Sequence, residues 1–171
     1  MLIGKNVHKM VLTNLTFGAP QSISFYGILP DEFSESHSAL FDTIEIKGRS
    51  NPLAAYSGSS ARTVSITVTI HEDYLAEFMG GYADIRQFIG AIRSITYPEY
   101  RGTLTVPPKV LLRIGQFLKI QGYCSSCTVT WKKPIRDGRF IVADVSFEIV
   151  EALTNSYTAS EVFSTADLRR M

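Results

Sequence analysis

Alternation of apolar and polar residues dominates the middle of the chain. In Arg62–His71, Val64, Ile66, Val68 and Ile70 alternate with Thr63, Ser65, Thr67 and Thr69. This period of two predicts a strand with one oily face and one face of small hydroxyls. Phe140–Val150 repeats it: Ile141, Ala143, Val145, Phe147 and Ile149 take one face, and Asp144, Ser146 and Glu148 the other. Ile44 and Ile46 alternate with Glu45 and Lys47 in a shorter run. Lys109–Ile114 and Phe117–Ile120 read as two short strands separated by Gly115. Cys124–Lys132 reads as a further strand, ending in a turn over Lys133–Gly138 where Pro134 and Asp137-Gly138 are the breakers. Only Ala83–Ile95 has a helical period, with Ile85, Phe88, Ile89, Ile92 and Ile95 three or four residues apart between Gly80-Gly81 and Pro98. These elements predict a mainly β fold with one flanking helix, an α+β arrangement in which the helix lays its Ile/Phe stripe on the oily side of the sheet.

The ends are patterned less strongly. Residues 1–40 form an N-terminal extension with two candidate strands, Lys9–Phe17 and Ser22–Tyr26, and a mostly polar stretch, Pro30–Ser38. Residues 41–150 form the β domain. Residues 151–171 form a C-terminal arm, of a kind that is either disordered or ordered only against a neighbour. Lys5, Asn6, His8, Lys9 and Asn14 interrupt the apolar residues of the N-terminus, so no signal-peptide core forms. No run is long and apolar enough to span a bilayer, and no membrane partner is expected.

Composition narrows the function classes. Charged residues make up 19% of the chain, against roughly 25% in an average domain. A chain so short of charge is expected to cover part of its surface with partners. The formal net charge of +1 gives no global attraction for nucleic acid or anionic membrane. Arg49, Arg62, Arg86, Arg93 and Arg101 are dispersed and not interleaved with aromatics as in a single-strand-binding groove.

Cys124-Ser-Ser-Cys127 has the spacing of a redox pair or half a zinc site. There is no second such pair, and His8, His37 and His71 form no ligand pair at a recognised spacing. In a regular strand, residues three apart face opposite sides, so the two thiols are expected neither to bridge nor to share a metal. His71-Glu72-Asp73 places a base beside two carboxylates, but no nucleophile motif accompanies it, and it reads as a strand-to-loop transition. Asp42, Asp84, Asp137 and Asp144 read as strand-start, helix-start, turn and exposed-face residues. Trp131 reads as a packing residue sharing a face with Tyr123, Cys127 and Val129. No catalytic, metal-binding or cofactor-binding residues are expected, and the chain is read as a non-enzyme. Two rival readings remain: a small β-barrel ligand-binding or enzymatic domain, and a thiol or metal protein built on the cysteine pair. The stretch Ser50–Ala61 reads as a long loop, too apolar at Leu53 and Tyr56 to be left free, and is expected to dock on the adjacent subunit or on the next ring.

Five elements then recur in a familiar order between Phe41 and Val150. They are a Lys47–Pro52 turn (KGRSNP), a Tyr56–Arg62 approach to a strand ending in an acidic residue, Tyr97-Pro98 after the helix, Pro107–Val110 opening a strand, and Trp131–Pro134 in a hairpin. In this order the chain resembles the tail-tube-like domain of baseplate hub adaptor and tube-initiator proteins of contractile-tailed phages. Some relatives carry a C-terminal LysM module; no such repeat follows Val150 here, so peptidoglycan binding is not carried over. The resemblance implies a β-sandwich or barrel whose copies, as a hexamer, close a ring around a channel. It implies a structural virion protein of the tail and baseplate, assembled in the host cytoplasm, that connects tube to hub or spike. Phage DNA would pass the channel without specific binding. The expected partner-contact residues are Leu53, Tyr56, Ser57 and Arg62. The expected lumen-facing residues are Thr63, Ser65, Thr67 and Thr69.

Overall fold

The computed structural model describes residues 9–16, 21–26, 30, 32–78, 82 and 84–152. In chain order the strands are β1 (Lys9–Asn14), β2 (Gln21–Tyr26), β3 (Phe33–Ser36), β4 (Ala39–Ile44), β5 (Leu53–Ser59) and β6 (Thr63–His71). Two helices follow, α1 (Glu72–Phe78) and α2 (Ile85–Ser94). Then come β7 (Glu99–Arg101), β8 (Leu104–Val106), β9 (Lys109–Ile114), β10 (Leu118–Arg136) and β11 (Arg139–Glu151). The fold is mostly β, with every strand pair antiparallel.

Seven strands form one sheet in the order β2-β1-β9-β10-β11-β6-β3. The alternation read from sequence sets its faces. Val64, Ile66, Val68 and Ile70 of β6 and Ala143, Val145, Phe147 and Ile149 of β11 are buried in one apolar cluster with α2. Residues 1–40 read from sequence as an extension, yet β1, β2 and β3 belong to this sheet, and Met10, Leu12, Ile23 and Phe25 join the same core. They do so because their own alternation is complete enough to supply an oily face. Beyond Ala152 the expected C-terminal arm lies outside the described residues.

The sheet is folded over α2. Phe25 on β2 meets Phe88 on α2 edge to face at 5.3 Å, and α2 also lies against β11. In the strand order β2 and β11 are four spacings apart, about 19 Å in a flat sheet. A helix is only about 10–12 Å across, so the sheet must bend to bring both to it. The bend falls in β10, which pairs with β9 from Leu118 to Tyr123 and with β11 from Gly122 to Arg136. One strand thus passes from one half-sheet to the other, as strands do at the corners of folded sheets. Gly122 marks the corner: a Cβ placed there would lie 1.9 Å from the carbonyl oxygen of Val150.

α2 begins at Asp84, whose carboxylate accepts from the amide of Arg86 at 2.5 Å, and buries Ile85, Phe88, Ile89 and Ile92. α1 is an addition to the one helix read from sequence. Its signals are present but short: Glu72 and Asp73 in the first turn, where the helix dipole favours acids, and Leu75 buried beneath them.

Candidate functional site

The stretch read as a loop over residues 50–61 instead holds β5, Leu53–Ser59, paired with β4 in a two-stranded sheet of its own. The difference has a physical source: Leu53–Ser59 (LAAYSGS) contains small residues and a glycine, so it lacks the β-branched alternation that marks a strand. The parent strands explain its position. β3 runs antiparallel to β6, ending with Ser36 opposite Thr63, and continues into β4; β5 returns into β6. The four strands are one long hairpin whose outer half, from Ala39 to Ser59, leaves the edge of the main sheet.

The join is held by hydroxyls and one ion pair. The amide of Ser60 donates to the carbonyl of Ser38 at 2.8 Å, and the amide of Ser38 donates to the Ser60 hydroxyl at 2.9 Å. Arg62 reaches Glu35 at 2.7 Å. Arg62, expected at a partner contact, therefore has a partner within its own chain and fixes the base of the hairpin. At the far end the Lys47–Pro52 motif forms the tip, where the amide of Arg49 donates to the carbonyl of Ile46 at 3.1 Å and Gly48 takes a φ of +89°. Only glycine adopts that conformation without strain.

Beyond its base the hairpin carries apolar side chains on both faces and buries almost none of them. Phe41 and Tyr56 pair across one face with ring centroids 5.7 Å apart, and they are 61% and 62% exposed. Leu40, Ile44 and Leu53 stand on the other face, all exposed. Ser57 is the unpaired residue of a β-bulge between the Leu40–Gly58 and Phe41–Tyr56 pairs. A two-stranded hairpin alone is marginal in water, and large apolar groups on both faces of one are a surface awaiting cover.

The residues expected to face a lumen share one face of β6. That face continues across β11 and β10 in rows: Ser65, Glu148 and Ser126; Thr67, Ser146 and Thr128; Thr69, Asp144 and Thr130. Thr67 and Ser146 share a hydroxyl hydrogen bond of 2.9 Å, and Thr69 donates to Asp144 at 2.9 Å. Lys132 pairs with Asp144 and holds its carboxyl below the usual carboxylate range. The first two rows line a shallow, open trough of about 150 Å³. Thr63 lies at one end of this face, opposite Val150.

The cysteines depart from the sequence reading. A β-bulge at Ser125 makes Cys124 pair with Ile149 and Cys127 with Phe147, two residues of the same buried face. The extra residue shifts the alternation by one, so both thiols pack against the core. The same shift puts Tyr123 on the opposite face from Trp131, which keeps Cys127 and Val129 as companions. Burial, and second the neighbouring Cys127, push the Cys124 thiol up to about 11; burial likewise raises Cys127. Thiolate is therefore scarce near neutrality. Alkylation of Cys124 in the native protein at pH 8 is expected to run about a hundredfold slower than that of an ordinary thiol, whose pKa is about 8.5. Rapid labelling of Cys124 by iodoacetamide, located by peptide mapping, would contradict this burial.

Glu72 and Asp73 are drawn into ion pairs, and the Nδ1 of His71 accepts from the amide of Asp73 at 3.3 Å. Arg136 donates to both Asp73 oxygens, at 2.8 and 3.2 Å, and this hydrogen bonding lowers the Asp73 carboxyl. Arg139 lies 3.3 Å from Glu72 and 4.0 Å from Asp84. The cluster ties the β10–β11 turn to the starts of α1 and α2. Among the described residues no three His, Cys, Asp or Glu side chains are placed to hold a metal ion, and no helix is long and apolar enough to cross a membrane.

No protein-family model matches the sequence, and no curated protein does. Several solved structures share part of its chain path, these three among them. One is the tail of an empty gene transfer agent particle with C6 symmetry, 15% identical over 88% of this chain and 96% of that one, with a TM-score of 0.41. A second is the six-fold symmetrised baseplate of the anti-feeding prophage, 9% identical over 87% and 91%, with a TM-score of 0.39. The third is the virion of a native gene transfer agent, 13% identical over 86% and 95%, with a TM-score of 0.38. With TM-scores below 0.5, these likenesses carry no part of the functional case.

Proposed function

We propose that this chain is a structural, non-enzymatic subunit of a contractile tail or related injection machine, a ring-forming connector between tail tube and baseplate hub. The observation that carries this reading is the projecting hairpin from Ala39 to Ser59, with exposed apolar side chains on both faces. Burying such a side chain contributes about 1.5–3 kcal/mol, and in the isolated chain that stabilisation is missing. The hairpin projects beyond its own sheet, so a neighbour must supply the cover. The patch that gives and the patch that receives then differ, and such contacts close into rings. The ordered motifs from Lys47 to Pro134 support the tail assignment within that class. The molecule resides in the tail or baseplate of the particle, with Leu53, Tyr56 and Ser57 against a neighbour and Arg62 setting the hairpin's angle.

The hydroxyl face of β6, β11 and β10 forms the channel wall. Its charges are few, two carboxylates against Lys132, so it has little to hold the phosphates of passing DNA. Placing lysine at Thr63 and Thr67 is expected to slow genome ejection severalfold; unchanged ejection kinetics would remove the face from the channel. The assembly itself is tested by native mass measurement of the full chain, alone and co-expressed with tube and hub proteins. A closed oligomer or a co-assembled ring is the expected species. A monomer in every mixture would end the proposal.

A further inference from the structure

The half-sheet β2-β1-β9-β10 turns a second face away from the core. Cross-strand register places two rows on it: Ser24, Val11, Arg113 and Lys119, then Ser22, Thr13, Leu111 and Gln121. Arg113 and Lys119 stand directly opposite one another, and both are exposed. Like charges so placed repel. Neither has an acidic partner among the described residues. Lys109 extends the positive charge along the same face of β9, and Val11 and Leu111 provide half-buried apolar surface beside it.

The hairpin has the complement. Asp42 is the single charged side chain within the strands β4 and β5. It shares a face with Leu40 and Ile44, and Leu53 stands opposite Ile44. Asp42 also has no cationic partner among the described residues. An acid flanked by aliphatic groups in one place thus matches paired cations flanked by aliphatic groups in another.

We propose that the outer face of β9 and β10 is the seat for the hairpin of a second copy of this chain. Asp42 of the incoming hairpin lies between Arg113 and Lys119 and relieves their repulsion. Leu40, Ile44 and Leu53 cover Val11 and Leu111. This rests on the reading of the hairpin as an assembly element and specifies where it goes. The interface is heterologous, so each copy gives a hairpin and receives one.

The test is a charge exchange in the full chain, with assembly followed by native mass measurement alongside tube and hub proteins. Asp42→Arg, or Arg113→Asp with Lys119→Asp, is expected to weaken association at least about tenfold. The chain carrying all three changes is expected to recover most of the loss, which a purely structural defect would not. Far-UV circular dichroism checks the fold, and Arg113→Gln with Lys119→Gln replaces the reversal if that variant misfolds. If single reversals assemble normally, or the combination is no better than either, while Leu53→Asp with Tyr56→Asp still abolishes assembly, the hairpin docks elsewhere and this inference falls alone. Normal assembly joined to loss of low-salt binding to a short DNA duplex would assign the face to a polyanion, and would equally overturn it. If the hairpin variants also assemble, the proposed function fails first.

Discussion

A chain carrying Leu53→Asp and Tyr56→Asp is expected to fold normally and to lose the proposed assembly. Both side chains stand on the projecting hairpin, on opposite faces and away from the apolar core. A carboxylate at either position adds no cavity or clash to the main sheet, so the thermal midpoint should shift by no more than about 2 °C for a change of at most about 0.5 kcal/mol. The proposed interface, by contrast, would have to desolvate an unpaired charge on each face. Central apolar contacts each account for about 2 kcal/mol or more, and every 1.4 kcal/mol is tenfold in affinity. The pair should therefore weaken association by close to a thousandfold, read as the concentration at which the oligomer forms. Assembly at the wild-type concentration would show that the hairpin is not an interface.

Gly122→Ala is expected to damage the fold itself. The added methyl would meet the carbonyl oxygen of Val150 at 1.9 Å, its carbon at 2.7 Å and the Glu151 Cα at 3.0 Å. All three atoms are backbone, so no rotamer relieves the overlap. The half-sheets must part at the corner, at a cost of about 3 kcal/mol or more. For a domain of this size that is a fall of about 6–12 °C in the thermal midpoint. Gly90 is the control: it lies on the exposed side of α2, and a methyl added there would have nothing within 4 Å. Gly90→Ala should stabilise the helix by about 0.5–1 kcal/mol. If both substitutions behave alike, Gly122 is not a corner but an ordinary strand glycine.

The two glycines separate what local pattern can convey from what it cannot. Gly90 interrupts an apolar period without changing it, and the helix is legible around it. Nothing beside Gly122 in the sequence says that another strand's carbonyl will lie where its Cβ would be. The cysteines make the same point: Cys124 and Cys127 read as opposite-facing because strand period is two, but the unpaired Ser125 brings Cys127 to the core side beside Cys124. A bulge is a mismatch between two strands, so neither strand alone announces it.

By itself the sequence determined which residues turn inward on β6, β11 and α2. It also identified the hydroxyl composition of the opposite face and the unusual apolarity at Leu53 and Tyr56. These follow from backbone periods of two and 3.6, which act between residues only a few positions apart. The tertiary structure alone decided that β10 serves two half-sheets, that residues 9–26 complete the core, and that the apolar stretch after Lys47 is the returning strand of a projecting hairpin. Each depends on which distant segment lies alongside. That choice is made by cross-strand pairing and shared burial, which join residues far apart in the chain.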